Sequence, residues 1–519
     1  MELPEANITM SQEVPARGFT MPPAPAPIDE LRPQGPNGPN GPNGPNPPNW
    51  ANGPSPVNGP GGPRPNGGPP TPFRITEFSN RVPFCRIAAT LKPSVDSNIK
   101  IEVWMPLSGW NGKYLGIGGW GWSGSMMYDG LLMGLNKGYA VANTDTGHDM
   151  SLPMGKFGLG HPDKIIDYGY RAVHEMTLDA KSVVKKFYGV KELKSYWIGC
   201  SLGGQQALTE AQRFPEDYDG IIAGSPAAPV AHLNAMQIWF SLLVNEDHKR
   251  TIPREKHALI EKAILDACDE LDGVKDGIIE NPLACHFDPG ILLCKGEENN
   301  ACLSASQVEF LRLVYAGPIN PRTGQKIYAA PPVDTMAGMM GLTGNNPMGV
   351  AVALYKYLVF QNVDCDWKTL DLGRDVDYAD KVLSTVNPTT NPNLKPFFDR
   401  GGKLLIYHGW EDPSSPQQSI EYYSAVLKTV GEEESANSIR LFTVPGMGHC
   451  QGGSGCDTFD KLGELDQWVQ TNKAPDRIVA SKVANGNIIR THPLCAYPMV
   501  AKYKGTGDTD NADNYVCSK

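Results

Sequence analysis

Residues 195–208 read Ser-Tyr-Trp-Ile-Gly-Cys-Ser-Leu-Gly-Gly-Gln-Gln-Ala-Leu. A short apolar run of strand length enters Gly199-Cys200-Ser201-Leu202-Gly203, and a helix-forming stretch starts at Gln205. G-x-S-x-G between a strand and a helix is the pattern of a nucleophile elbow, a strained turn that lifts a serine hydroxyl above a sheet. The N-terminus of the following helix then faces any oxyanion formed at that serine. On this reading Ser201 is a nucleophile.

A serine nucleophile needs a base and a carboxylate that orients the base. In α/β-hydrolases the chain order is serine, acid, histidine. Downstream of Ser201, Lys403 to Tyr407 (KLLIY) reads as a strand, and HGWEDP after it places Asp412 just past the strand end. Ile439 to Val444 (IRLFTV) reads as the last strand, and PGMGHC places His449 in the loop beyond it. The order Ser201, Asp412, His449 fits. Glu411 is the alternative acid and His408 the weaker alternative base.

Upstream, strands are expected at Ile99–Pro106, Lys113–Gly119 and Tyr139–Thr144, with a helix near Asp129–Asn136. Ala172, Met176, Ala180 and Val184, four apart, mark a long helix from about 168 to 188. Gly220–Ala223 is the next strand. Strands alternating with helices imply a mostly parallel sheet covered on both faces. The rhythm breaks between about 225 and 393, where four close cysteines, an acidic loop and Met- and Gly-rich turns read as an inserted lid. The expected organisation is therefore an α/β-hydrolase fold whose core is built from 1–224 and 394–519, with a lid domain at 225–393.

Composition bounds the partners. The 519-residue chain has a formal net charge of −10, which argues against nucleic acid or an anionic membrane as the main partner. Apolar runs such as Val350 to Tyr355 are far too short to span a bilayer. Much of the high glycine and proline content lies in 33–72, a low-complexity insert read as a surface spacer without secondary structure. Residues 1–20 carry no basic start followed by an apolar stretch. Eleven cysteines are many for a cytosolic enzyme, so a secreted or periplasmic protein with its leader removed is expected.

Cys200 precedes Ser201 and Cys450 follows His449, so if serine and histidine meet, a Cys200–Cys450 bridge becomes feasible. Together with HGWEDP, PEDYDGIIAGSPA and CDELDGVKDGIIENPLACHFDP, these pairs give the chain from about Phe84 to the C-terminus a specific likeness. It resembles the tannase/feruloyl esterase family of α/β-hydrolases, which includes feruloyl esterases, tannases and mono(2-hydroxyethyl) terephthalate hydrolase. The resemblance implies a serine esterase acting on small aromatic esters of plant cell-wall or tannin type, feruloyl esters first and gallate or terephthalate monoesters next. With proximity in the chain, it implies four disulfides: Cys200–Cys450, Cys268–Cys285, Cys294–Cys302 and Cys495–Cys517. It leaves Cys85, Cys365 and Cys456 over.

The acidic loop Cys268–Ile278 (CDELDGVKDGI) gathers three aspartates between glycines, hard oxygen ligands suited to Ca²⁺ although not in EF-hand spacing. The resemblance implies a structural calcium held by the side chains of Asp269, Asp272 and Asp276 and the carbonyls of Val274 and Ile278. Gly116 to Gly121 also fits G-x-G-x-x-G with Asp145 beyond it, which taken alone suggests a nicotinamide dinucleotide site and an oxidoreductase. These glycines fit better as the early oxyanion loop of a hydrolase. Leu202 and Gly121 are the expected amide donors, with Gly119 as the alternative. Trp120 and Trp122 could wall a planar acyl group or pack in the core.

Overall fold

The computed structural model describes residues 6–22, 79–335, 344–384, 386 and 391–519. The glycine- and proline-rich insert at 33–72 lies outside the described residues.

Nine strands form one sheet in the order β1-β2-β3-β5-β4-β6-β7-β8-β9. In chain order they are β1 (Ala6–Val14), β2 (Phe84–Leu91), β3 (Ile99–Pro106), β4 (Lys113–Ile117), β5 (Ala140–Thr144), β6 (Lys194–Cys200), β7 (Gly220–Gly224), β8 (Lys403–Gly409) and β9 (Ile439–Val444). The first part, β1, β2, β3 and β5, pairs antiparallel. From β5 through β4, β6, β7 and β8 to β9 every pairing is parallel. The expected strands of the core are all present, with ends shifted by one or two residues. The two strands that the sequence reading missed, β1 and β2, have plain causes. Strand β1 is an edge strand exposed along most of its length and bulged between Ile8 and Met10, so it carries no apolar alternation. Strand β2 comes directly after the insert, and its small residues Ala88 and Ala89 give no strong pattern.

The parallel strands are buried on both faces, as their continuous apolar sequences require. On one face lie α2 (Ala172–Tyr188) and α3 (Leu202–Arg213), with Val173, Met176, Ala180, Ala207 and Ala211 against Trp197, Ile221 and Ile406. On the other lie α1 (Tyr128–Asn136) and a later helix at Lys461–Thr471, with Leu131, Leu135, Leu465 and Trp468 against Leu115, Ile198 and Ile222.

Strands β7 and β8 are neighbours, yet 178 residues of chain lie between Gly224 and Lys403. The described residues of that stretch form α4 (Val230–Glu246), α5 (His257–Cys268), α6 (Ala305–Ala316), α7 (Arg374–Leu383) and shorter helical turns, with their own apolar clusters. One of those clusters includes Leu202, so this helical layer sits on the elbow. Near its end, Leu394, Phe397 and Phe398 already pack into the sheet core. Beyond the sheet come two antiparallel pairs, β10 (Arg477–Ala484) with β11 (Asn487–Cys495), and β12 (Val500–Tyr503) with β13 (Tyr515–Ser518).

Candidate active site

Ser201 sits between the end of β6 and the first residue of α3 with φ +60° and ψ −116°. This is a conformation that a non-glycine residue holds only when its surroundings enforce it. Here they do. The Ser201 amide donates to Gly224 O at 3.0 Å, while its carbonyl accepts from Gln205 N at 2.9 Å and Ala227 N at 3.2 Å. The flanking glycines are needed for clearance. A Cβ on Gly199 would stand 2.3 Å from Gly203 O, and one on Gly203 would stand 3.0 Å from Gly118 Cα.

Asp412 lies in the turn after β8 and is fully buried. Its Oδ1 accepts the Ser414 amide at 2.8 Å, and its Oδ2 stands 2.6 Å from His449 Nδ1. Burial alone would raise the Asp412 pKa. The charges of His449 and His408 and the hydrogen bond from His449 outweigh it and hold the carboxyl well below the usual carboxylate range. Burial likewise pulls His449 down, but the Asp412 charge and hydrogen bond prevail and raise it above 6.5. The side chain of His449 stays 29% exposed, so the ring is not sealed in the core.

The link between serine and histidine is covalent on the neighbouring residues. Cys200 and Cys450 form a disulfide with Cα atoms 6.0 Å apart, closing 250 residues of sequence. It draws the histidine loop onto the elbow. The other three expected bridges, Cys268–Cys285, Cys294–Cys302 and Cys495–Cys517, are also formed, and Cys85, Cys365 and Cys456 are free.

The alternative residues fall into other roles. The carboxylate of Glu411 turns to Ser454, accepting its amide at 3.1 Å and its hydroxyl, and burial raises its pKa. His408 is wholly buried, with Nε2 3.1 Å from Asp412 Oδ2 and Nδ1 on the Ser419 hydroxyl, which removes it as the base.

The early glycine loop abuts the elbow. The Gly203 amide donates to Gly119 O at 3.1 Å, and the Gly119 amide donates to Gln206 Oε1 at 2.9 Å. Gly119 is therefore occupied and cannot serve as an oxyanion donor. Gly121 has φ +57° and nothing within 4 Å of where a Cβ would stand. A dinucleotide would find no room at the start of the same motif, because a Cβ on Gly116 would lie 2.5 Å from Tyr218 Oη and 2.8 Å from Trp197. Asp145, the apparent ribose ligand, is buried and accepts the Lys100 and Gly147 amides, with a pKa pushed up by burial to about 7. Trp120 lies beside His449, ring centroids 5.6 Å apart. Trp122 instead stacks on Tyr168 at 5.2 Å and joins the cluster under the helical layer.

In the acidic loop, Asp269 is buried and accepts the amides of Asp276 and Gly277. Asp272 and Asp276 accept the amides of Val274 and Ile278. Burial, then the charges of Glu280 and Asp276, push Asp272 up to about 6. The loop thus holds more negative charge than Arg490, 3.4 Å from Asp276, compensates, and hard oxygens with such an excess fit a divalent cation. The three carboxylates nonetheless stand more openly than a closed cage. Among the described residues the trio of potential ligand atoms lying within 4.8 Å of one another is His174, Glu210 and Asp217, elsewhere in the fold. There His174 is already paired with Asp217 at 2.7 Å and stacked on Phe214.

The profile of a family described as tannase and feruloyl esterase matches residues 85–518. An uncharacterized esterase of Xanthomonas campestris is 35% identical over 84% of each chain. A mono(2-hydroxyethyl) terephthalate hydrolase of Piscinibacter sakaiensis is 32% identical over 81% of each chain. The crystal structure of feruloyl esterase B from Aspergillus oryzae superposes with a TM-score of 0.84 at 26% identity, over 100% of this chain and 98% of the other.

Proposed function

Because the chain belongs to the tannase and feruloyl esterase family, a family of carboxylic ester hydrolases on the α/β-hydrolase fold, we propose that it cleaves hydroxycinnamoyl-type aromatic esters through an acyl-enzyme on Ser201. The observation that carries this is the 2.6 Å Asp412–His449 pair tied to the strained Ser201 elbow by Cys200–Cys450.

On this reading each residue has one role. Asp412 Oδ2 accepts the Nδ1 hydrogen of His449, so the lone pair of Nε2 is left to take the Ser201 proton. Asp412, held ionised, stabilises the imidazolium that forms and stays a carboxylate. The amides of Leu202 and Gly121 receive the developing oxyanion, one such donor being worth about 3 kcal/mol. His449 then returns its proton to the leaving alcohol, and water repeats the sequence to release the acid. The indole of Trp120 beside His449 offers an apolar face to a planar acyl group.

Feruloyl esters are the first choice, since the structure aligned over the whole chain is named for that substrate. Gallate esters and terephthalate monoesters are the second, the latter favoured by the terephthalate hydrolase relative. A panel of methyl ferulate, methyl gallate, chlorogenic acid and mono(2-hydroxyethyl) terephthalate decides: the highest kcat/KM is expected on methyl ferulate or chlorogenic acid. Turnover of none would refute the reading.

The acidic loop is proposed to hold a structural calcium through Asp269, Asp272, Asp276 and the carbonyls of Val274 and Ile278. The four disulfides support an oxidising, secreted or periplasmic setting. Among the described residues no helix is long and apolar enough to cross a membrane.

A further inference from the structure

The triad carboxylate has two imidazoles on one oxygen. Asp412 Oδ2 is 2.6 Å from His449 Nδ1 and 3.1 Å from His408 Nε2. His408 is the penultimate residue of β8, four residues ahead of Asp412, and neither side chain is exposed at all. Its other nitrogen, Nδ1, is 2.8 Å from the hydroxyl of Ser419, itself buried on the helix Pro416–Val430. A serine hydroxyl donating to Nδ1 leaves the ring hydrogen on Nε2, on the Asp412 side. No hydrogen-bond acceptor is aligned with that Nε2, so Asp412 at 3.1 Å is the charge it faces.

We propose that His408 is a positioning residue of the esterase, a second imidazole that uses Ser419 to keep its Nε2–H turned to Asp412 and so fixes the carboxylate for His449. This rests on the Ser201 esterase reading above. The physical case is one of geometry. The Ser414 amide fixes Oδ1 from one side, but a carboxylate pinned at a single oxygen can still swing the other. A buried N–H behind Oδ2 limits that swing. It also withdraws charge from the oxygen His449 uses, so His449 should lose its proton more readily than it would beside an unassisted aspartate. The other titratable groups around Asp412 do not substitute. Tyr328 from the helical layer spends its hydroxyl on Ser414 O at 3.0 Å, and Glu411 is engaged by Ser454. Glu421, on the helix that carries Ser419, reaches Tyr328 only by long-range charge.

Two near-isosteric variants separate positioning from packing. A glutamine amide nitrogen falls where Nε2 was and can still face Asp412. An asparagine amide falls at Nδ1 and keeps only the Ser419 contact. Rates are expressed per active site, titrated with a fluorophosphonate, so any misfolded fraction drops out. For His408→Asn the proposal expects kcat reduced about ten- to a hundred-fold, the range for a buried charge that loses one polar neighbour, with KM little changed. The acid limb of kcat/KM should move to higher pH. His408→Gln should recover most of the rate and the parent's acid limb. Equal kcat per site in the two variants, or an acid limb that stays at the parent's position in His408→Asn, overturns the proposal. A check on the parent needs no substitution at 408: NMR of the ¹⁵N-histidine-labelled enzyme should show His408 protonated on Nε2 and not on Nδ1, a state that survives in His449→Ala, and the opposite tautomer overturns the proposal. A parent with no esterase activity would refute the esterase reading itself, whereas an active parent with indistinguishable variants refutes only the role of His408.

Discussion

At Ser201 the sequence and the backbone agree closely, because G-x-S-x-G describes a steric requirement: two glycines where any Cβ would collide with backbone, and a serine forced to positive φ between them. Asp412 and His449 were legible for a related reason, since both follow predictable strand ends on the same edge of the sheet. What could not be read from sequence was which groups are already engaged. Gly119 stood as the alternative donor to Gly121 until its amide was found on Gln206, 87 residues away. The Asp412–His449 pair sets the pH dependence. On the proposed mechanism esterase activity needs neutral His449, and the carboxylate raises the pKa of that histidine, so kcat/KM should fall as pH drops through a value above 6.5. An acid limb below 6.5 in a pH–rate profile would contradict the pairing. Asp412→Asn removes the charge and presents the wrong partner to Nδ1, and kcat should fall by about 10⁴.

Among the elements, the acidic loop after α5 joins two parts of the molecule. Asp276 meets Arg490, Glu280 accepts from the Ala501 amide and pairs with His492 at 2.9 Å, and Val274 packs with Cys495, Ala501 and Tyr515. A cation there would steady both the loop and the C-terminal strands. Calcium added to chelated protein should raise its melting temperature in calorimetry, and Asp272→Asn should abolish that rise; an unchanged melting point on addition of calcium to the parent would count against the site. The Cys200–Cys450 bridge makes a separate claim. Replacing both cysteines by alanine should cost about 2–4 kcal/mol in denaturant unfolding and lower kcat, since nothing covalent would then hold the His449 loop to the elbow. Some elements carried signals the sequence reading passed over. The hairpin β10–β11 turns at Asn485-Gly486, both at positive φ, the residues a tight hairpin demands. The exposed edge strand β1 had no such signal, because nothing buries most of it.

For the molecule as a whole, the parallel half of the sheet could be read from buried apolar runs separated by helices, whereas at the antiparallel end β1 joins β2 through pairs such as Ala6 with Leu91 and Val14 with Phe84, distant in sequence and encoded by no local pattern. The helical layer between β7 and β8 was visible only as a break in rhythm. Its folding depends on its own apolar clusters and two disulfides rather than on a repeating pattern. Thiol titration of denatured, unreduced protein should find three free cysteines of eleven, and eleven would refute the oxidised state. The central claim, an ester hydrolase working through an acyl-enzyme on Ser201, is tested most directly by rapid quenching of the enzyme with methyl ferulate followed by peptide mass spectrometry, alongside Ser201→Ala. The account predicts a feruloyl adduct on the peptide containing Ser201, and a correctly folded Ser201→Ala protein whose kcat is lower by about 10⁴ or more. A Ser201→Ala variant that keeps most of the parent's activity would contradict it.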